Sequence, residues 1–290
     1  MRLFKTTKGA VLQFNNQSFL LTEDWDVLIN QANLYDHLFS FVKDEKLMEQ
    51  SKAEEYIGNF LLPPIGSQEV WAAGVTYLRS RDARMDESKD SGAADCYQRV
   101  YDADRPELFF KALAHRVVGD GGEVYIRKDS DWNVPEPELT LYINSEGAIQ
   151  GYTIGNDMSS RSIEGENPLY LPQAKVYEKS AGLGPCLYVP QHPISLDTEI
   201  RLAIYRNGVS MYEASTPVNR MKRSLQELAE YLYMECDFPV GSFLMTGTCL
   251  VPPNDFTLQK NDVVVMSIDG IGTLTNTIGI KEKRTSVNKA

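Results

Sequence analysis

The sequence predicts a β-rich α+β fold, and three observations predict it. Beyond Val70, short apolar runs recur between turn residues. A single well-formed amphipathic helical pattern interrupts them. The first sixty-odd residues carry a different pattern, a short hairpin followed by a helical stretch. Pro63-Pro64 and Gly66 break both helix and sheet between these patterns, so we expect a small N-terminal α/β domain over 1–66 and a larger catalytic domain over 67–290.

Taken in order, Ala10 to Phe14 and Ser18 to Leu21 read as two strands of a hairpin. From about Trp25 to Tyr56 the apolar residues Trp25, Leu28, Ile29 and Ala32, then Leu34, His37, Leu38 and Phe41, keep the roughly 3.6-residue period of a helix. Strands are expected within 70–75, 123–127, 138–143, 148–155, 186–190, 199–214, 243–247, 262–268 and 272–280. Asn207-Gly208 is a hairpin turn inside the longest of these runs. Between about Asn219 and Glu235, Leu225, Leu228, Ala229 and Leu232 fall on one helical face, a stripe that reads as core. The polar, charged segment 77–112 reads as a helical insert of the kind that becomes a lid.

The formal charge of −11 and an isoelectric point near 4.9 work against binding a phosphate backbone, so no nucleic-acid partner is expected. A small anionic substrate remains compatible, provided a metal ion or a few buried cations reverse the field locally. The cysteines at 96, 186, 236 and 249 form no CxxC pair, and the opening residues lack the apolar centre of a signal peptide. A cytoplasmic location is therefore expected. No run approaches the roughly 20 apolar residues that span a bilayer, so no membrane association is expected. Gly119 to Gly122 is a turn that neither follows a strand nor opens a helix, which argues against nucleotide binding.

The informative run is Trp132 to Ile143. In an extended strand, residues two apart share a face, so Glu136 and Glu138 project together while Pro137 points away and suits an edge or a bulge. Two carboxylates aimed at one point repel unless a proton or cation is shared, which favours a metal. Asp157 closes the apolar run that follows, and Lys175 stands among apolar neighbours after a proline.

These residues, with Gly74 to Tyr77, Arg105 to Ala112 and Gly247 to Pro253 in the same order, resemble the fumarylacetoacetate hydrolase family from about Val70 to Ile280. The resemblance implies the mixed β-roll of that family's C-terminal domain and a homodimer or homotetramer. It also implies a divalent ion held by Glu136, Glu138 and Asp157. All-oxygen ligation suits Mg²⁺, with Ca²⁺ and Mn²⁺ sharing the preference, and three histidines in the chain make zinc a poor fit. Within the family, 100–112, 129–139 and 151–177 resemble the dehydratases that convert 2-keto-3-deoxy-D-arabinonate to 2,5-dioxopentanoate and water.

On this resemblance the substrate is a small 2-keto acid that chelates the ion through its carboxylate and keto oxygens, which makes the C3 protons acidic. Lys175, with a pKa expected to be depressed by the nearby cation, is the expected base at C3. Glu87 is the expected acid at the C4 hydroxyl, with Arg81 positioning it or a substrate hydroxyl. Lys111 and Thr248 match positions that line the pocket, the first to hold the substrate's negative end and the second to hydrogen-bond its carboxylate. Tyr77, Phe109, Phe110 and Tyr170 are the aromatic candidates for its walls, and Glu107 is given no role.

Other readings are an acylpyruvate-type carbon–carbon hydrolase, an oxaloacetate decarboxylase or tautomerase, and a metal-dependent binder of sugar acids without catalysis. The hydrolases of the family pair a lid histidine with a glutamate. Here 77–90 contains no histidine.

Overall fold

The computed structural model describes residues 1–44, 47–87 and 94–282, without the side chains of 44, 86, 87, 94 and 95. Its frame is an eleven-stranded mixed sheet. From one edge the strands run Leu47–Met48, Gln17–Leu21, Gly9–Phe14, Arg2–Thr6, Ala181–Tyr188, Ile149–Asp157, Pro137–Ile143, Ser242–Met245, Glu69–Gly74 and Glu107–Leu113, with Val117–Val118 beside Ala181–Tyr188. A five-stranded sheet packs against it in the order Val209–Pro217, Glu199–Arg206, Val263–Ile268, Gly272–Ile280 and Glu123–Ile126.

The strand Pro137–Ile143 is buried along its whole length because both of its faces are covered. Leu139, Leu141 and Ile143 pack with Ile200, Leu202, Ile204 and Met266 of the smaller sheet. The opposite face carries Tyr142, which joins Leu28, Leu34, Leu38 and Phe243 in a second core. Full burial of each such side chain contributes about 1.5–3 kcal/mol. The strand is central, so Pro137 does not mark an edge. It takes the first strand position, where a missing N–H costs least.

Two sequence-based expectations are refined. The helical stretch 25–56 is broken into Trp25–Ile29, Leu34–Asp44 and Gln50–Phe60, with Asn30 capping the first. The helix expected from Asn219 begins instead at Leu225. Ser224 closes a capping box with Glu227, each side chain meeting the other's backbone N–H, and Val218–Arg220 forms a 3₁₀ turn before it. Asn15 and Asn16, at φ of 47° and 61°, make the first hairpin turn, and Asn207-Gly208 makes the later one.

The N-terminal strands join the large sheet directly. Arg2 pairs with Tyr188 and Leu3 with Leu187, and the Met1 ammonium donates to the Val189 carbonyl at 2.8 Å. A single sheet thus runs through both sides of the division expected at residue 66. No helix among the described residues is long and apolar enough to cross a membrane.

Candidate active site and metal centre

One end of the large sheet gathers the polar chemistry. Gly74 ends its strand there, Glu107 and Pro137 begin theirs, Asp157 ends another, and Thr246 to Thr248 follow Met245. Glu136, Glu138 and Asp157 are buried, and each offers a carboxylate oxygen within 4.8 Å of the others. Glu138 pairs with Gly155 across the ladder, where a Cβ on Gly155 would crowd Thr140 Oγ1 at 2.3 Å. Gly247, at φ +97°, turns its N–H onto Glu138 Oε2. A side chain there would meet Thr76 Oγ1.

The donor set fits a hard divalent cation: three carboxylates converge in a buried site, and among the described residues neither His nor Cys lines the cavity. Burial, with Asp157 and Glu136 beside it, holds the Glu138 carboxyl well above the usual range, and burial likewise raises Glu136. These are the groups whose protons a cation would displace. Burial also acts to raise Asp157, but Lys111 and Lys175 outweigh it and hold that carboxyl low.

Lys175 Nζ lies 2.6 Å from Glu136 Oε2 and 3.1 Å from Asp157 Oδ2, and it also donates to Ser159 Oγ. Burial alone would lower its pKa, yet Asp157, Glu136 and Glu164 together push it up. Without a cation among these carboxylates the ammonium form of Lys175 is favoured, whereas the depression expected from sequence presupposes a bound cation. Lys175 Nζ lies 5.8 Å from the Phe109 ring.

Lys111 is the unpaired residue of a β-bulge, since Ala112 pairs with Val70 and Phe110 with Trp71. The bulge aims its ammonium at Asp157 Oδ1 at 2.5 Å, the Met158 carbonyl at 2.9 Å and the Lys175 carbonyl. The ammonium thus makes two hydrogen bonds to backbone carbonyls and an ion pair with Asp157. These contacts hold Lys111 against Asp157, a metal-ligand candidate.

Thr248 lines the cavity. Its Oγ1 accepts from Leu250 N–H at 3.2 Å, which leaves the hydroxyl hydrogen for a ligand. Phe110 faces away, edge-on to Trp71 at 5.9 Å, and Phe109 takes the place on the wall. Tyr77 is buried at the base of the lid helix Leu78–Glu87, whereas Tyr170 is 41% exposed. Arg81 pairs with Asp82 at 2.6 Å and stacks on Tyr101, outside the cavity. From the helix Leu78–Glu87, Ser80 and Arg84 line the cavity among the described residues, one turn apart on the same face. The Glu87 side chain lies outside the described residues.

Four groups that sequence reasoning did not assign complete the site. Arg161 donates to Glu136 Oε1 at 2.9 Å, and Arg84 pairs with Glu164 at 3.0 Å. Glu107 shares a strand face with Phe109, and its Oε2 is buried with no hydrogen-bond partner among the described residues. Burial raises the Glu107 carboxyl more than Arg84 lowers it. The signals were present as an i, i+2 relation to Phe109 and an i, i+3 relation of Arg161 to Glu164 on a capped helix. Neither says by itself which face meets the site.

Among the described residues, the carboxylates of Glu107, Glu136, Glu138, Asp157 and Glu164 stand against the cations of Arg84, Lys111, Arg161 and Lys175. Fully ionised, the cluster keeps one net negative charge. A divalent cation together with a monoanionic keto acid would bring it to neutrality, so an acid substrate and a metal suit the site as a pair.

Residues 70–279 match the model of the fumarylacetoacetate (FAA) hydrolase C-terminal domain. Over 228 residues the chain is 46% identical to a probable 2-keto-3-deoxyxylonate dehydratase of Haloferax volcanii, covering 78% of this chain and 77% of that one. Over 227 residues it is 42% identical to the 2-dehydro-3-deoxy-D-arabinonate dehydratase of Saccharolobus solfataricus, covering 77% and 75%. A solved structure of 2-keto-3-deoxy-D-arabinonate dehydratase, complexed with magnesium and 2,5-dioxopentanoate, superimposes with a TM-score of 0.81. That match is 32% identical and covers 98% of this chain and 100% of the other.

Proposed function

The chain belongs to the fumarylacetoacetate hydrolase family, and from that premise we propose that it is a Mg²⁺-dependent dehydratase of a 2-keto-3-deoxy sugar acid. The reading is specific to 2-keto-3-deoxy-D-arabinonate, which would lose water to give 2,5-dioxopentanoate, the product held in the structural relative. The observation that carries it is the buried triad of Glu136, Glu138 and Asp157, with Glu107, whose Oε2 is buried, in the same polar cluster.

Glu136, Glu138 and Asp157 would hold the cation, which when bound polarises the 2-keto group and makes the C3 protons acidic. Thr248 O–H would donate to the substrate carboxylate. Lys175 and Arg161, which meet Glu136 and Asp157 directly, would fix the orientation of the ligand carboxylates. The proton-handling group supported best is Glu107, because its Oε2 is buried without a hydrogen-bond partner among the described residues and burial raises its carboxyl.

In this scheme Glu107 takes a C3 proton and returns it to the C4 hydroxyl, the C4–O bond breaks, and water leaves. Tautomerisation of the unsaturated keto alcohol then yields the aldehyde. No attacking water is required, in keeping with a cavity wall that carries no histidine among the described residues. The base therefore moves from Lys175, expected from sequence, to Glu107.

Assembly as a homodimer or homotetramer and residence in the cytoplasm belong to the same proposal. Exposed Val209 and Met211 on the edge strand Val209–Pro217 support the first, and the four free cysteines support the second. The function is tested by incubating purified protein and Mg²⁺ with 2-keto-3-deoxy pentonates, hexonates and an acylpyruvate. Release of 2,5-dioxopentanoate from a pentonate supports the reading, and cleavage of the acylpyruvate alone sinks it.

A further inference from the structure

Glu164 has no part in the reaction as described, yet it is 1% exposed. It comes from the helix Arg161–Glu166, whose first turn is capped by Ser160 Oγ accepting from Ile163 N–H. Its Oε1 faces cations from two different elements: Arg84 Nη2 at 3.0 Å and Lys175 Nζ at 3.4 Å. A carboxylate this enclosed is costly unless cations meet it, so its place depends on both.

Arg84 belongs to the helix Leu78–Glu87, and its guanidinium also lies 5.7 Å from the Tyr97 ring of the helix Ala94–Asp102 packed alongside. Ser80 and Arg84 bring the first of these helices to the cavity wall, and the cavity holds about 20 Å³. That is room for about one water molecule. A five-carbon acid enters only if a wall withdraws. The strands around the site are held by ladders within the large sheet, whereas the Arg84–Glu164 pair joins the helix Leu78–Glu87 to the site.

We propose that Glu164 is a positioning residue that ties the seating of the helix Leu78–Glu87, through Arg84, to the placement of the Lys175 ammonium between Glu136 and Asp157. Withdrawal of the helix releases Arg84 from Glu164 and loosens Lys175, and its return restores both. The inference rests on reading this site as the place of reaction, but its contacts are testable without substrate.

The experiment uses full-length protein loaded with Mg²⁺, comparing Glu164→Gln, Arg84→Met, Arg84→Lys and the double variant Glu164→Gln/Arg84→Met. Amide hydrogen exchange without substrate is read in the helix Leu78–Glu87 and in the strand Pro137–Ile143, and kcat and KM are measured on a 2-keto-3-deoxy pentonate. Glu164→Gln and Arg84→Met should each speed exchange in the helix about tenfold and leave the strand unchanged. They should lower kcat about tenfold with a smaller change in KM, Arg84→Lys should recover part of both effects, and the double variant should be no worse than either single. Exchange and kcat of Glu164→Gln within about twofold of the parent would overturn the proposal, as would equal acceleration in helix and strand. A parent that fails to dehydrate the pentonate counts against the assigned reaction, while the exchange data still decide the role of Glu164.

Discussion

Gly74 and Glu107 stand opposite each other across the paired strands Glu69–Gly74 and Glu107–Leu113, and a Cβ built on Gly74 would lie 2.1 Å from Glu107 Oε2. Glycine at this position makes the space that the buried carboxyl occupies. Gly74→Ala should therefore displace Glu107 without altering its chemistry. We expect a loss of about 1–3 kcal/mol in stability from overpacking, an unchanged Mg²⁺ affinity by calorimetry, and at least about a tenfold fall in dehydration rate. Turnover equal to the parent would show that the position of Glu107 is immaterial.

Glu136→Gln, Glu138→Gln and Asp157→Asn each remove one anionic donor from the three-carboxylate centre. Each should weaken Mg²⁺ binding about tenfold or more by calorimetry. Asp157→Asn should also destabilise the chain most, because it leaves Lys111 and Lys175 buried without their shared counter-charge. A variant that binds Mg²⁺ like the parent identifies a residue outside the ligand set.

How much of this centre was legible in the sequence depended on whether the deciding contact was local. Strand periodicity alone puts Glu136 and Glu138 on one face, and the end of the next strand supplies Asp157. The role of Lys111 depends on a bulge created by its pairing with the strand Glu69–Gly74, which its own segment does not announce. Arg81 and Arg84 are three residues apart on one helix, and only the packing of that helix shows that Arg84 faces inward. The same limit hid the single sheet, because Arg2 and Tyr188 meet across nearly two-thirds of the chain.

The raised carboxyls predict how stability depends on pH. Glu138, Glu136 and Glu107 are all raised by burial above the ordinary Glu value of 4.5. A carboxyl with a raised folded-state pKa contributes stability below its unfolded value, and that stability is lost as pH rises through the folded value. Burial also acts to raise Asp157 and Glu164, but their cations outweigh it, so their opposing contribution changes only below the ordinary carboxylate range. Metal-free protein should lose stability as pH climbs from 4.5 toward neutrality, and Mg²⁺ should restore more of it the higher the pH. Melting curves with and without Mg²⁺ across this interval check the sign: the gap in Tm should widen by several degrees, about 2–4 °C for each kcal/mol. A gap that stays constant or narrows would mean that these carboxyls are already ionised in the metal-free protein.

The central claim is that a metal held by Glu136, Glu138 and Asp157 makes the proton beside a keto group acidic and that Glu107 removes it. The most direct measurement is proton NMR of 2-oxobutyrate in D₂O with Mg²⁺, since this keto acid has exchangeable C3 protons and no C4 hydroxyl to lose. The parent should replace those protons with deuterium, EDTA should stop the exchange, and Glu107→Gln should slow it at least about a hundredfold while still binding Mg²⁺. Lys175→Met should retain measurable exchange. Normal exchange in Glu107→Gln together with its loss in a metal-binding Lys175→Met would contradict the account and return the base to Lys175.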